Sequence, residues 1–139
     1  MKELNFIILK ESFTIHRLSP GDNIPKNLFT SPFYNICQTA EELSIVALDS
    51  IEIKSEESNP GWSVLKIAGP LDFSLTGILA GISSILAEAG ISIFAISTFD
   101  TDYILLKTEN LRKAKLALKS AGHKFPRVNP EYSMSKIAK

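Results

Sequence analysis

Between Ser74 and Ala89, the apolar residues Leu75, Ile78, Leu79, Ile82, Leu86 and Ala89 recur at helical spacing. They form the single apolar stripe of an amphipathic helix. Gly77, Ala80, Gly81 and Ser84 fall on the opposite side, where a surface helix ordinarily carries Lys, Glu or Arg. Two glycines inside a helix cost about 1 kcal/mol each relative to alanine. So bare a face predicts close approach by something: a neighbouring element of the same chain, a helix of a second subunit, or a ligand.

Gly90 stops that helix, and strands are predicted on either side of it: Trp62 to Ala68 before, Ile91 to Ser97 and Tyr103 to Lys107 after. A second helix begins at Asn110 as N-cap, turns Leu111, Ala114, Leu118 and Ala121 inward, and ends at Gly122. Arg112, Lys113, Lys115 and Lys119 then form a solvated face or, without interleaved aromatics, a weaker phosphate or nucleic-acid patch. His123 to Val128 can supply an edge strand interrupted by Pro126, and from about residue 129 little remains to bury. The order strand, helix, strand, strand, helix, strand is the split βαβ, ferredoxin-like unit of an α+β fold.

Upstream the pattern has period two. Leu4 to Leu9 reads as a strand buried on both faces. Phe13 to Leu18 alternates strictly, so residues 3–18 are expected to form a β-hairpin. Pro25 and Pro32 bracket a loop with room for about one helical turn. Phe33 to Gln38, Ser44 to Leu48 and the short Ile51 to Lys54 are further strands, with a short helical turn expected at residues 39–43, where Thr39 to Glu42 resembles a capping box. Ser55 to Gly61 is charged and turn-rich, the best linker in the chain. It divides an N-terminal half, residues 1–58, from a C-terminal half, residues 59–139.

Composition narrows the function. Fifteen basic residues balance fifteen acidic ones in 139, so no global field attracts nucleic acid or a membrane surface. A 45% hydrophobic content is ample for a core, yet no uninterrupted apolar run is long enough to span a bilayer. The single cysteine, Cys37, fits a reducing compartment and reads as a small buried hydrophobe. A cytoplasmic protein is expected. His16, His123 and Cys37 have no metal-ligand or nucleophile spacing, and no glycine-rich phosphate fingerprint occurs. Neither enzyme chemistry, metal nor cofactor is signalled.

Candidate ligand chemistry clusters around the central stretch. The helix start near Ser74 offers unpaired N–H groups to a carboxylate, unless Asp72 or Ser74 simply caps it. Gly77 admits a ligand or partner close to the backbone. Asp100 and Asp102 lie in the hairpin that follows, either as ordinary turn residues or, for Asp102, as partner to an ammonium. Trp62, Phe73 and Phe99 read as core or as pocket walls.

The run GWSVLKIAGPLDFSLTGILAGISSILAEAGISIFAISTFDTDYILLK resembles the ACT-type domain of the small tandem-ACT family related to the cellular arginine sensors, and FYNICQTAEELSIVALDS resembles the first-half segment of that family. The resemblance covers roughly residues 30–123. It implies two ACT-like βαββαβ modules, the first degenerate, with antiparallel sheets and helices on one face. It implies no catalysis and an amino acid or related metabolite bound at a module or homodimer interface. Carried over by position, the ligand-binding residues are Gly77, Ile78, Ser97, Thr98, Phe99 and Asp102. An acidic residue that the family has one turn into the helix is Ala80 here, which argues against a cationic ligand such as arginine. The alternative is a protein-interaction module that has lost its ligand.

Overall fold

A computed structural model describes residues 2–69, 71 and 76–126. Among the described residues, seven strands make one sheet: β1 (Phe6–Ile8), β2 (Phe13–Leu18), β3 (Asn35–Gln38), β4 (Leu43–Leu48), β5 (Glu57–Ile67), β6 (Phe94–Ser97) and β7 (Asp102–Lys107). Their order is β3-β4-β2-β5-β7-β6, and β1 also pairs with β5. All the strand pairs are antiparallel. The two α-helices among the described residues, α1 (Ile78–Glu88) and α2 (Leu111–Ser120), both belong to the second half. The α+β class with an antiparallel sheet and two helices is thus the fold of the chain. Among the described residues, the first half contributes strands and one 3-10 turn at Lys26–Thr30, within the proline-bracketed loop.

Strand β5 organises the sheet, because it pairs with three others. It is longer than expected: Glu57 to Gly61 are not a free linker but open the strand opposite Arg17, His16 and Ile15 of β2. The register shifts between the Ile15–Asn59 and Phe13–Trp62 pairs. Pro60 and Gly61 sit inside this bulge, Gly61 at a φ of +81°, so the proline removes no regular ladder bond and the glycine takes the strained conformation. Farther along, β1 occupies the same side of β5, through Phe6–Ile67 and Ile8–Leu65. The expected hairpin of residues 3–18 is therefore corrected. Alternation gives the buried face of a strand, not its partner.

Four other expectations are corrected. Thr39 to Glu42 is the turn of the β3–β4 hairpin: Thr39 N–H donates to the Glu42 carbonyl (2.8 Å) and the Thr39 hydroxyl accepts from the Glu41 and Glu42 amides. Ile51 to Lys54 forms no strand, although Ile51 is buried beside Leu28, Leu43 and Ile45. Cys37 is exposed on the edge strand β3 rather than buried. Ala121 lies at the exposed end of α2 instead of facing inward.

Two layers of core flank the sheet. Ile78, Ile82 and Leu86 of α1, with Ala114 and Leu118 of α2, pack on Leu65, Ile67, Ile104 and Leu106. These strand residues alternate with Val64 and Leu105, which belong to a second cluster with Phe13, Val46, Trp62 and Ile96. That second face is covered by curling of the sheet and by the loop before β3. The Phe33 ring lies 4.8 Å from that of Tyr103 and 5.5 Å from that of Phe13. Burial pushes the Tyr103 phenol above its ordinary pKa, with Asp100 adding to the effect.

Candidate functional site

Helix α1 starts later than the periodicity predicts. Its N-cap is Gly77, in the left-handed region at φ +76°, and no side chain among the described residues caps it. The first helical bond runs from the Gly81 amide to the Gly77 carbonyl at 2.9 Å. Ser74 and Asp72, the expected caps or carboxylate seat, lie outside the described residues, as does Phe73. Ile78 points into the core, whereas Gly77, Ala80 and Ser84 are exposed and Gly81 is half-buried. No described element of the same chain therefore covers the small face.

The β6–β7 hairpin is tightly built. Its register places Ser97 opposite Asp102, and the Ser97 hydroxyl donates to the Asp102 carboxylate at 2.5 Å. In the turn, the Thr98 amide donates to the Thr101 carbonyl (2.9 Å), and the Thr98 hydroxyl accepts from the Thr101 amide (3.3 Å). The threonine hydroxyl thus does the work expected of a turn aspartate. Phe99, at the tip, is 80% exposed and is no part of the core.

Three residues that sequence reasoning missed complete this region. Thr101 is buried and donates its hydroxyl to the Ile67 carbonyl (2.7 Å). Gly69 follows β5 and lets the turn approach: a Cβ there would lie 3.2 Å from the Asp100 carbonyl oxygen and 3.1 Å from the Leu71 amide. Lys66 holds its ammonium 6.0 Å from the Tyr103 ring centre. Together with Asp100, these three line a concavity of about 200 Å³. Ser97, Thr98 and Asp102 are thereby brought together, with Phe99 beside them. Gly77 and Ile78 lie at the start of α1 and line no part of this concavity; Leu71 is fastened to the hairpin by its amide, which donates to the Asp100 carbonyl at 2.7 Å. The turn residues were legible as a polar DTD run, but Lys66 and Gly69 carry no signal that points to it.

Chemically, the region offers the Lys66 ammonium, the carboxylates of Asp100 and of Asp102, the latter engaged by Ser97, and backbone groups at a strand end. Among the described residues no group of three or more His, Cys, Asp or Glu side chains could hold a metal, and no described helix is long and apolar enough to cross a membrane.

The family model for the ACT domain matches residues 57–120, and a separate N-terminal-domain model matches residues 11–62. A solved protein from Agobacterium tumefaciens is 36% identical over 93% of this chain and 96% of its own, with a TM-score of 0.84. The chain is an ACT domain-containing protein. This ACT protein also shares its fold with the aspartate kinase of Clostridium acetobutylicum, described as an allosteric enzyme (TM-score 0.61, 14% identity, 81% of this chain, 33% of that one). The regulatory subunit of aspartate kinase from Thermus thermophilus is a further fold relative (TM-score 0.58, 12% identity, 84% and 96% covered). Membership places the chain among regulatory, small-molecule-binding domains.

Proposed function

We propose that this ACT protein is a non-catalytic, cytoplasmic sensor of an amino acid or related small metabolite. It works as a homodimer with the ligand at a module or subunit seam. The ligand sits by Lys66 and Asp100 and contacts Ser97, Thr98, Phe99 and Asp102 of the adjoining hairpin, with Gly77 and, through its backbone, Ile78 at the start of α1. The two modules of this reading are residues 1–58 and 59–139, a division supported by the overlap of the two family models at residues 57–62.

The observation that carries this reading is the concavity beside the hairpin, where Lys66 and Asp100 bring opposite charges to one small space. A ligand carrying both an ammonium and a carboxylate matches that pairing. Binding would act by favouring one packing of the modules over another.

Thermal unfolding with each of the twenty amino acids tests the proposal. A ligand at 100 times its dissociation constant adds about 2.7 kcal/mol, an upward shift that Asp102→Asn reduces. No shift with any amino acid counts decisively against it. A protein-interaction module is the second reading, favoured by the exposed Ala80, Ser84 and Ala87 on α1. Sizing of Gly81→Arg combined with the thermal shift separates the two, because an intact dimer that still responds to ligand removes the interface role of that helix face.

A further inference from the structure

A second cavity lies on the far side of the sheet from the helices, at the open end of the curl. Its volume is about 380 Å³, within the range of small-molecule sites. The curl makes it: Phe94 of β6 lines the same space as Ile15 and Arg17 of β2, although β5 and β7 lie between those strands in the sheet. Ile15 and Phe94 are half-buried and belong to the apolar cluster of that face.

The charged groups around this apolar floor are arranged unusually. Arg17 sits in register between Ser44 and Glu57. Its guanidinium nevertheless pairs with Glu56 (3.4 Å) and donates to the Glu41 carbonyl (3.2 Å), not to Glu57. Two of its five N–H donors are so engaged, which leaves others for an anion. Glu57 and Glu42 both line the cavity, and neither forms an ion pair among the described residues. Arg17 thus keeps spare donors beside its Glu56 pair, while the cross-strand Glu57, with Glu42, stands outside any described ion pair at the same space.

We propose that this cavity binds a small zwitterion with an apolar side chain, an α-amino acid in its simplest form. Its carboxylate lies on Arg17, its ammonium on Glu57 and Glu42, and its side chain on Ile15 and Phe94. The site is separate from α1 and the β6–β7 hairpin, and stands whether or not that region binds a ligand.

The chain carries its own reporter. Trp62 is the sole tryptophan, and its indole N–H donates to the Asn59 side chain (3.3 Å), which lines the cavity. Titration of the full chain with leucine and with phenylalanine should change Trp62 fluorescence saturably. Isoamylamine and isovalerate, which each keep one charge, should bind about tenfold more weakly or worse, as should leucine to Arg17→Gln and Glu57→Gln, since each loses a charge-assisted hydrogen bond. Glu57 is exposed, so its variant folds as the parent does and decides the matter even if Arg17→Gln melts early. Lys119→Ala, on the outer face of α2, should leave the response intact. The proposal is overturned if neither amino acid gives a saturable change, or if isoamylamine binds as tightly as leucine. It is overturned equally by a response that survives Glu57→Gln unweakened, or that Asp102→Asn abolishes while Arg17→Gln does not.

Discussion

The hydroxyl of Thr101 donates to the carbonyl of Ile67 at 2.7 Å, fastening the β6–β7 turn to the last residue of β5. Thr101 is buried, so no water replaces this partner when it is lost. Thr101→Val keeps the shape of the side chain and leaves the Ile67 carbonyl short of a bond, at a cost of about 1–3 kcal/mol. Thr101→Ser keeps the hydroxyl and should recover most of that loss. Denaturant unfolding of the two variants checks the prediction, and equal losses would mean that packing, not the hydrogen bond, fastens the turn.

Gly69 faces the same turn from the other side. An added methyl would meet the Leu71 amide at 3.1 Å and the Asp100 carbonyl oxygen and Thr101 Cβ at 3.2 Å. Two of these are backbone atoms, which cannot rotate away as a flexible side chain could. Gly69→Ala should therefore destabilise by about 1–3 kcal/mol, the ordinary range for overpacking. Because the strain falls on the hairpin, the variant should also weaken any amino-acid-induced thermal shift. A shift as large as that of the parent would detach the hairpin from the binding reaction.

The contrast between these residues explains what the sequence disclosed. Helix α1 was legible because six apolar residues at a 3.6 period allow no other structure, and its small outer face came with it. The hairpin was legible as two strands around a polar turn. Gly69 and Lys66 were not, since nothing local places the end of β5 against residues 98–101; the β5–β7 register does. The same reason hid the extension of β5. Ser55 to Gly61 has linker composition, and only pairing with β2 turns Glu57 to Gly61 into strand. Likewise β1 and β2 showed their faces but not that both flank β5. Cys37 was misread because an edge strand exposes residues that would be buried in the middle of a sheet.

Gly77 separates backbone strain from contact. A Cβ at this position meets nothing within 4 Å among the described residues, while φ is +76°. Gly77→Ala should thus cost about 1–2 kcal/mol through conformation alone. Gly77→Asn should cost less, because asparagine tolerates the left-handed region. If a ligand uses the open space at this helix start, both variants weaken its thermal shift by more than the stability loss accounts for. Thermal melts with and without the amino acid separate the two effects.

The two histidines make stability depend on pH. His123 is buried, its Nδ1 accepts the Leu4 amide at 3.1 Å, and its Nε2 has no partner among the described residues. The proton is therefore on Nε2, and a second proton on Nδ1 would expel the Leu4 bond that holds the chain leading into β1. His16 is buried as well, with Nδ1 2.9 Å from the Ser55 hydroxyl. Burial lowers both imidazoles below their ordinary value of 6.5, against the opposing pull of Asp49 on His16 and of Glu3 on His123. As the pH falls, the unfolded chain takes up these protons before the folded one does. Stability is then complete above about pH 6.5 and declines below it until the folded histidines themselves charge. Melting temperatures between about pH 7.5 and pH 5.5 should fall for the parent. They should fall less for His123→Gln, which starts lower because the Leu4 bond is weakened. A melting temperature that rises on acidification would mean that the imidazoles are charged in the fold and that the bond at Leu4 is drawn the wrong way round.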